Sequence, residues 1–129
     1  MLLGVVADDL TGGTDVALML QRAGMSVVQV IGVPAPPGGL PEADAVVVSL
    51  KSRTCPVAEA VVQSLTSARA LRRRGARQIL FKYCSTFDST EQGNIGPVAE
   101  ALMDELGAKS VIFCPAFPAN ARTIYQGHL

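Results

Sequence analysis

Residues 2–7, LLGVVA, run straight into residues 8–15, DDLTGGTD, and this junction decides how the chain folds. The first six residues are continuously apolar rather than alternating, the pattern of a strand covered on both faces. The run then gives way to two carboxylates and a glycine pair, a polar strand end leading into a helix over about residues 14–23. In that helix Val16, Leu18, Met19 and Leu20 favour one side, and Gly24 is a natural left-handed stop.

Strand and helix signals alternate from there on, without an internal repeat. Residues 26–31 read as a second strand. The following VPAPPGGLPEA, residues 33–43, is a surface connection whose prolines and glycines forbid a regular element, and a candidate flexible spot. Residues 45–50 form a third strand. The next helix is capped by Thr54 or Cys55, carries Pro56 in its first turn and ends near Arg74 before Gly75; its RRRG ending reads as a solvated cationic terminus that complements the helix dipole. Residues 78–83 make a fourth strand, residues 97–106 a third helix opened by Pro97 and stopped by Gly107, and residues 110–114 a fifth strand. This order implies right-handed parallel βαβ units. The expected fold is α/β: an open, mainly parallel five-stranded sheet with helices on both faces, a Rossmann-like three-layer sandwich.

Composition narrows the function classes. At 129 residues and 49% hydrophobic content the chain buries one core as a single domain, and 11 acidic residues balance 11 basic ones. No basic face is implied, so nucleic acid and anionic membrane are not expected partners. The longest apolar runs are strand-sized and no export signal opens the chain, which points to a soluble cytoplasmic protein. Cys55, Cys84 and Cys114 lack CxxC spacing and fit reduced thiols; no metal site is expected.

The chemistry gathers where the strands end. ADDLTGG, SLKSRT, CSTFDST and PAFPANART follow strands one, three, four and five, so they share the carboxyl edge of the sheet, where such folds bind ligands. The richest of these stretches is FKYCSTFDSTEQGNIGP, residues 81–97, whose hydroxyls, carboxylate, amide and glycines suit a small, densely polar ligand. Neither GxxxxGK nor GxGxxG occurs, so nucleotide binding has no recognised cradle here. A phosphatase cysteine needs an arginine six residues on, where Cys84 meets Thr90 and Cys114 meets Asn120. His128 is the only histidine and lies beside the end of the sequence, which removes support for serine–histidine catalysis. Asp8 and Asp9 are poised to hold a cation or accept a hydroxyl proton, although Asp9 or Thr11 would also serve as a helix cap. An aspartyl phosphatase would separate the two acids by one residue. A phospho-receiver domain would place Asp at the end of strand three, where Ser49 and Leu50 stand; a receiver-like regulatory domain remains an alternative.

Taken in order, ADDLTGGTD, Lys51-Ser52-Arg53, FKYCSTFDSTEQGNIGP and CPAFPANARTIYQGHL resemble the N-terminal sugar-binding domain of the four-carbon acid sugar kinases along the whole chain. KYCSTFDST and GNIGP look most like the 3-oxo-tetronate kinase branch. Gly13 departs from the usual Ala, and Ala119 and Ala121 stand where the family loop is more polar or has Gly.

The resemblance implies the substrate half, residues 1–129, of a two-domain kinase that phosphorylates the terminal hydroxyl of a four-carbon acid sugar, giving 3-oxo-tetronate 4-phosphate. ATP and Mg2+ would be held mainly by a C-terminal nucleotide-binding domain absent from this sequence, so the fragment alone is expected to be inactive. A homodimer is allowed. Under this reading Asp8 or Asp9, with Asp88 in reserve, acts as the base. Arg53 takes the substrate carboxylate, with Lys82 and Arg122 as alternatives. Thr11, Gly12, Ser85, Thr86, Ser89, Thr90 and Asn94 complete the substrate contacts. The alternative is a free-standing sugar-acid binding module without catalysis.

Overall fold

The structure, a computed structural model, describes residues 1–35 and 39–129. It contains β1 (Leu3–Ala7), α1 (Leu10–Arg22), β2 (Val27–Ile31), β3 (Ala45–Ser49), α2 (Val57–Arg73), β4 (Gln78–Lys82) and α3 (Ile95–Leu106). All described strand pairs are parallel, in the order β2-β3-β1-β4. Val5 lies between Val47 of β3 and Leu80 of β4, which puts β1 in the middle of the sheet and explains its unbroken apolar run.

Period-two alternation sorts the strand side chains between two half-cores. Val5, Ala7 and Val47 face α1, where Val16, Ala17 and Leu20 pack on them. Val6, Val46 and Val48 face the other way, in one cluster with Ala60, Ala68 and Leu71 of α2 and Val98 and Leu102 of α3. Each fully buried valine contributes about 1.5–3 kcal/mol relative to an exposed one. The three-layer α/β arrangement therefore stands as expected.

Several details do not. Residues 110–114 are not a strand. They run beside β4, with Phe113 stacked on Tyr83 at 5.9 Å between ring centroids, yet no backbone hydrogen bond ties them to it, and Ile112 is 88% exposed. Their β-branched and aromatic content is propensity only; without a ladder it makes no strand, so the described sheet has four strands.

On α1, Leu18 and Met19 stay 43% exposed; only part of the apolar stripe meets the sheet. The same helix starts at Leu10 rather than Thr14, because the Asp9 side chain caps it. Pro56, not Thr54 or Cys55, is the N-cap of α2, without a side-chain hydrogen bond. Two residues of α3 precede Pro97, which is tolerated because the first N–H groups of a helix have no partner to lose. Residues 36–38, in the connection read as a flexible spot, lie outside the described residues.

Gly13 marks a close approach. A Cβ there would sit 2.0 Å from Ser49 Oγ, the hydroxyl that accepts a hydrogen bond from Gln29 Nε2 at 2.8 Å. Gly13→Ala is expected to cost about 1–3 kcal/mol in urea unfolding. Part of that loss should return in the Gly13→Ala/Ser49→Ala double variant, as a double-mutant cycle would register.

Candidate functional site

The connections after β1 and β3 leave adjacent strands toward opposite faces of the sheet, α1 to one side and α2 to the other, and this opens a crevice at their carboxyl ends. The backbone of Asp8 fixes its geometry. Its N–H donates to the Lys82 carbonyl at 3.1 Å, and its carbonyl accepts from Ser52 N at 3.0 Å and Arg53 N at 3.2 Å. The backbone of one residue thus ties the ends of β1, β3 and β4 together. From the far side Asn94, just before α3, donates its amide to the carbonyls of Ser52 at 2.7 Å and Cys55 at 2.9 Å.

These ties shape a cleft of about 370 Å³ lined by Asp8, Ser52, Arg53, Asp88, Ser89 and Thr90, among others. Asp8 is 4% exposed. Its Oδ2 accepts from Cys84 N at 3.3 Å, whereas Oδ1 is buried with no hydrogen-bond partner. Burial, and next the charge of Asp9, push its carboxyl up to about 6, although the Cys84 N–H, Lys82 and Arg53 pull the other way. Asp9 behaves differently. Its Oδ1 accepts from Gly12 N at 2.5 Å, capping α1, and its Oδ2 faces Arg53 Nη1 at 3.5 Å.

Arg53 spans the opening. Besides Asp9 it donates to Thr86 Oγ1 at 3.0 Å and pairs with Asp88, whose Oδ1 also accepts from the Thr86 hydroxyl at 2.9 Å. The Thr86 hydroxyl and then the Arg53 guanidinium hold the Asp88 carboxyl below its usual range. The loop carrying these groups includes Phe87 at φ 48°, a left-handed conformation that a bulky residue seldom adopts.

The structure gathers Asp8, Arg53, Asp88, Ser89, Thr90 and Asn94 on one cleft and leaves other sequence-chosen residues off it. Asn94 spends its amide N–H groups on backbone carbonyls, so it is first a structural tie. Thr86 reaches the site through Arg53. Thr11 is exposed on the first turn of α1, and Gly12 serves the Asp9 cap. Lys82 donates to the Tyr83 carbonyl at 2.6 Å and, with Ser85, lines a separate apolar groove; Arg122 donates to Ser85 Oγ at 2.7 Å. Ser52, which is 1% exposed, lines the cleft with Thr54, Cys84 and Gln92, none of them chosen as a site residue from the sequence. No group of three or more His, Cys, Asp and Glu among the described residues could hold a metal ion. No described helix is long and apolar enough to cross a membrane.

An open parallel sheet with a polar crevice at its strand ends defines a small-ligand-binding α/β domain. Residues 3–129 match the family described as the sugar-binding N-terminal domain, and the chain belongs to that family. It is 62% identical to a 3-oxo-tetronate kinase of Burkholderia multivorans, over 99% of this chain and 30% of that protein. It is 56% identical to the 3-oxo-tetronate kinase of Escherichia coli, over 98% of this chain and 32% of that protein. A crystal structure of a Salmonella typhimurium protein superposes with a TM-score of 0.93 at 53% identity, covering 98% of this chain and 30% of that one. The chain therefore spans about a third of the length of these relatives.

The Asp8 carboxyl links the site to stability. Unfolded, Asp8 titrates near the ordinary 3.8; folded, near 6, so the folded state binds the extra proton between these values. Its favourable contribution is complete below the unfolded value and is lost as pH rises through about 6. Asp8→Asn should therefore be more stable than wild type by roughly 1–3 kcal/mol near pH 7.5, with the gain vanishing toward about pH 4. Denaturant titrations at both pH values check this.

Proposed function

We propose that this chain is the substrate-holding part of a sugar-acid kinase, which transfers the γ-phosphoryl group of ATP to the terminal hydroxyl of a four-carbon acid sugar. The specific reaction is 3-oxo-tetronate to 3-oxo-tetronate 4-phosphate, the activity named for the relatives above. The observation that carries this reading is the pairing, on one small cleft, of a guanidinium suited to a carboxylate with the buried carboxylate of Asp8 in the cleft wall.

Arg53 receives the substrate carboxylate, while Ser89, Thr90 and the remaining capacity of Asn94 face its hydroxyl and keto oxygens. Ser85, Thr86, Lys82 and Arg122 support the surrounding loops, and Thr11 and Gly12 shape the start of α1. ATP and Mg2+ belong mainly to a C-terminal nucleotide-binding domain in the remaining length of such proteins, acting in the cytoplasm, with a homodimer allowed. Nucleic acid and membrane have no part in this reading.

Asp88 occupies the position on Arg53 that a substrate carboxylate would need, so ligand entry exchanges one carboxylate for another. An isolated half-cleft binds weakly, with a dissociation constant of about millimolar or above. A tetronate should shift NMR signals of residues 52–54 and 84–94, and the matching uncharged tetritol should not. ATP alone should leave them unmoved. Arg53→Met should abolish the tetronate shifts, and Asp88→Asn should strengthen them by freeing Arg53. Equal shifts from tetronate and tetritol would rule out anion recognition.

A further inference from the structure

We propose that Asp8, and neither Asp9 nor Asp88, takes the proton from the attacking hydroxyl, an assignment that rests on the phosphotransfer reading above. Three carboxylates stand within reach of Arg53 or of one another, and they differ in what their oxygens already do. Both oxygens of Asp9 are engaged, one by the Gly12 N–H of its own helix and one by Arg53, and Asp9 does not line the cleft. Asp88 accepts from Thr86 and Arg53 through Oδ1 on an exposed loop, where the Thr86 hydroxyl and then Arg53 favour its charged, weakly basic form. Asp8 alone combines a rigid backbone, a position on the cleft wall and a buried oxygen that nothing satisfies.

A buried acceptor without a donor is unfavourable in a resting protein and is rarely retained without a role. A substrate hydroxyl supplies the missing donor. The hydroxyl oxygen then attacks the γ-phosphorus of a nucleoside triphosphate. The bond from that phosphorus to the β–γ bridging oxygen breaks, the nucleoside diphosphate departs with the electron pair, and the hydroxyl proton passes to the Asp8 carboxylate.

The groups that face Asp8 also suit the task. Asp9 precedes α1, Lys82 ends β4, Arg53 lies in the connection after β3, and Cys84 belongs to the loop after β4, whose Asp88 faces Arg53. Burial and Asp9 leave Asp8 a stronger base than an ordinary aspartate, while Lys82 and Arg53 keep it mostly ionised near neutrality.

The test is kinetic and uses the full-length kinase. Asp8→Asn should lower kcat by about a hundredfold or more, with KM changed only a few fold, because a proton acceptor matters chiefly in the transition state. Wild-type kcat should fall as pH drops through about 6, and the residual kcat of Asp8→Asn should lack that limb. Retention of kcat within a few fold in Asp8→Asn would overturn the assignment while leaving the kinase reading intact. A wild-type kcat flat from about pH 5 to 8 would overturn it too, and that measurement needs no variant to fold. A full-length wild-type protein that binds a tetronate but phosphorylates no four-carbon acid would overturn the kinase reading itself, and the role of Asp8 with it.

Discussion

The ends of β1, β3 and β4 are tied together through the backbone of Asp8, whose N–H and C=O are both used to hold other strands' ends. The Ala7 carbonyl already accepts from Leu50 N at 2.9 Å, and Asp8 extends that tie to the connections after β3 and β4. Because Asp8 donates to Lys82 and accepts from Ser52 and Arg53, the start of the Arg53 connection and the loop that follows Cys84 are set from one point. Backbone hydrogen bonds of this kind are insensitive to side-chain identity, so the geometry of the site belongs to the fold and its chemistry to what is mounted there.

Two adjacent aspartates acquire different roles from this arrangement. Residues next to each other at a strand end point in different directions. Asp8 turns inward, against Cys84 and under the mouth of the cleft, and loses water; Asp9 turns toward the first turn of α1 and replaces water with the Gly12 N–H and Arg53. The sequence pattern DD carries no sign of this division. Asp9 reads equally well as a base or a cap, and only the position of α1, which starts four residues earlier than its apolar stripe suggested, decides for the cap.

The unequal legibility of the rest has the same origin. Strands β1 and β3 announce themselves because burial on both faces demands a continuous apolar run, and the glycines at positions 24, 75 and 107 mark helix ends through their left-handed conformations. A strand at the sheet margin is different: VIFC in residues 111–114 has the composition of a strand, but strand formation depends on a partner's ladder, which composition does not encode. The site followed suit. Arg53, Asp88, Ser89 and Thr90 were legible because they cluster in polar loops at one sheet edge. Asn94 was chosen for its amide, but that amide is drawn to the carbonyls of Ser52 and Cys55, a contact between loops some forty residues apart. Lys82 and Arg122 were chosen for charge, and their hydrogen bonds instead carry them to Tyr83 and Ser85.

The cost concentrated at Asp8 also explains why the surrounding structure is so strongly tied down. A buried carboxylate with a free oxygen favours either protonation or an opening that readmits water, and the surrounding contacts oppose both. Opening is resisted by the three backbone bonds at Asp8 and by the fully buried valines of β1 and β3 directly beneath it. Protonation is resisted by Lys82, Arg53 and the Cys84 N–H, which offset part of the burial and leave the carboxyl near 6. Asp88 then matters for a different reason. By pairing with Arg53 at the cleft it neutralises that cation from an exposed loop, where an ion pair is held only weakly. The same cluster therefore stays assembled around two features: a guanidinium shared among Asp9, Thr86 and Asp88, and a buried carboxylate oxygen without a hydrogen-bond partner.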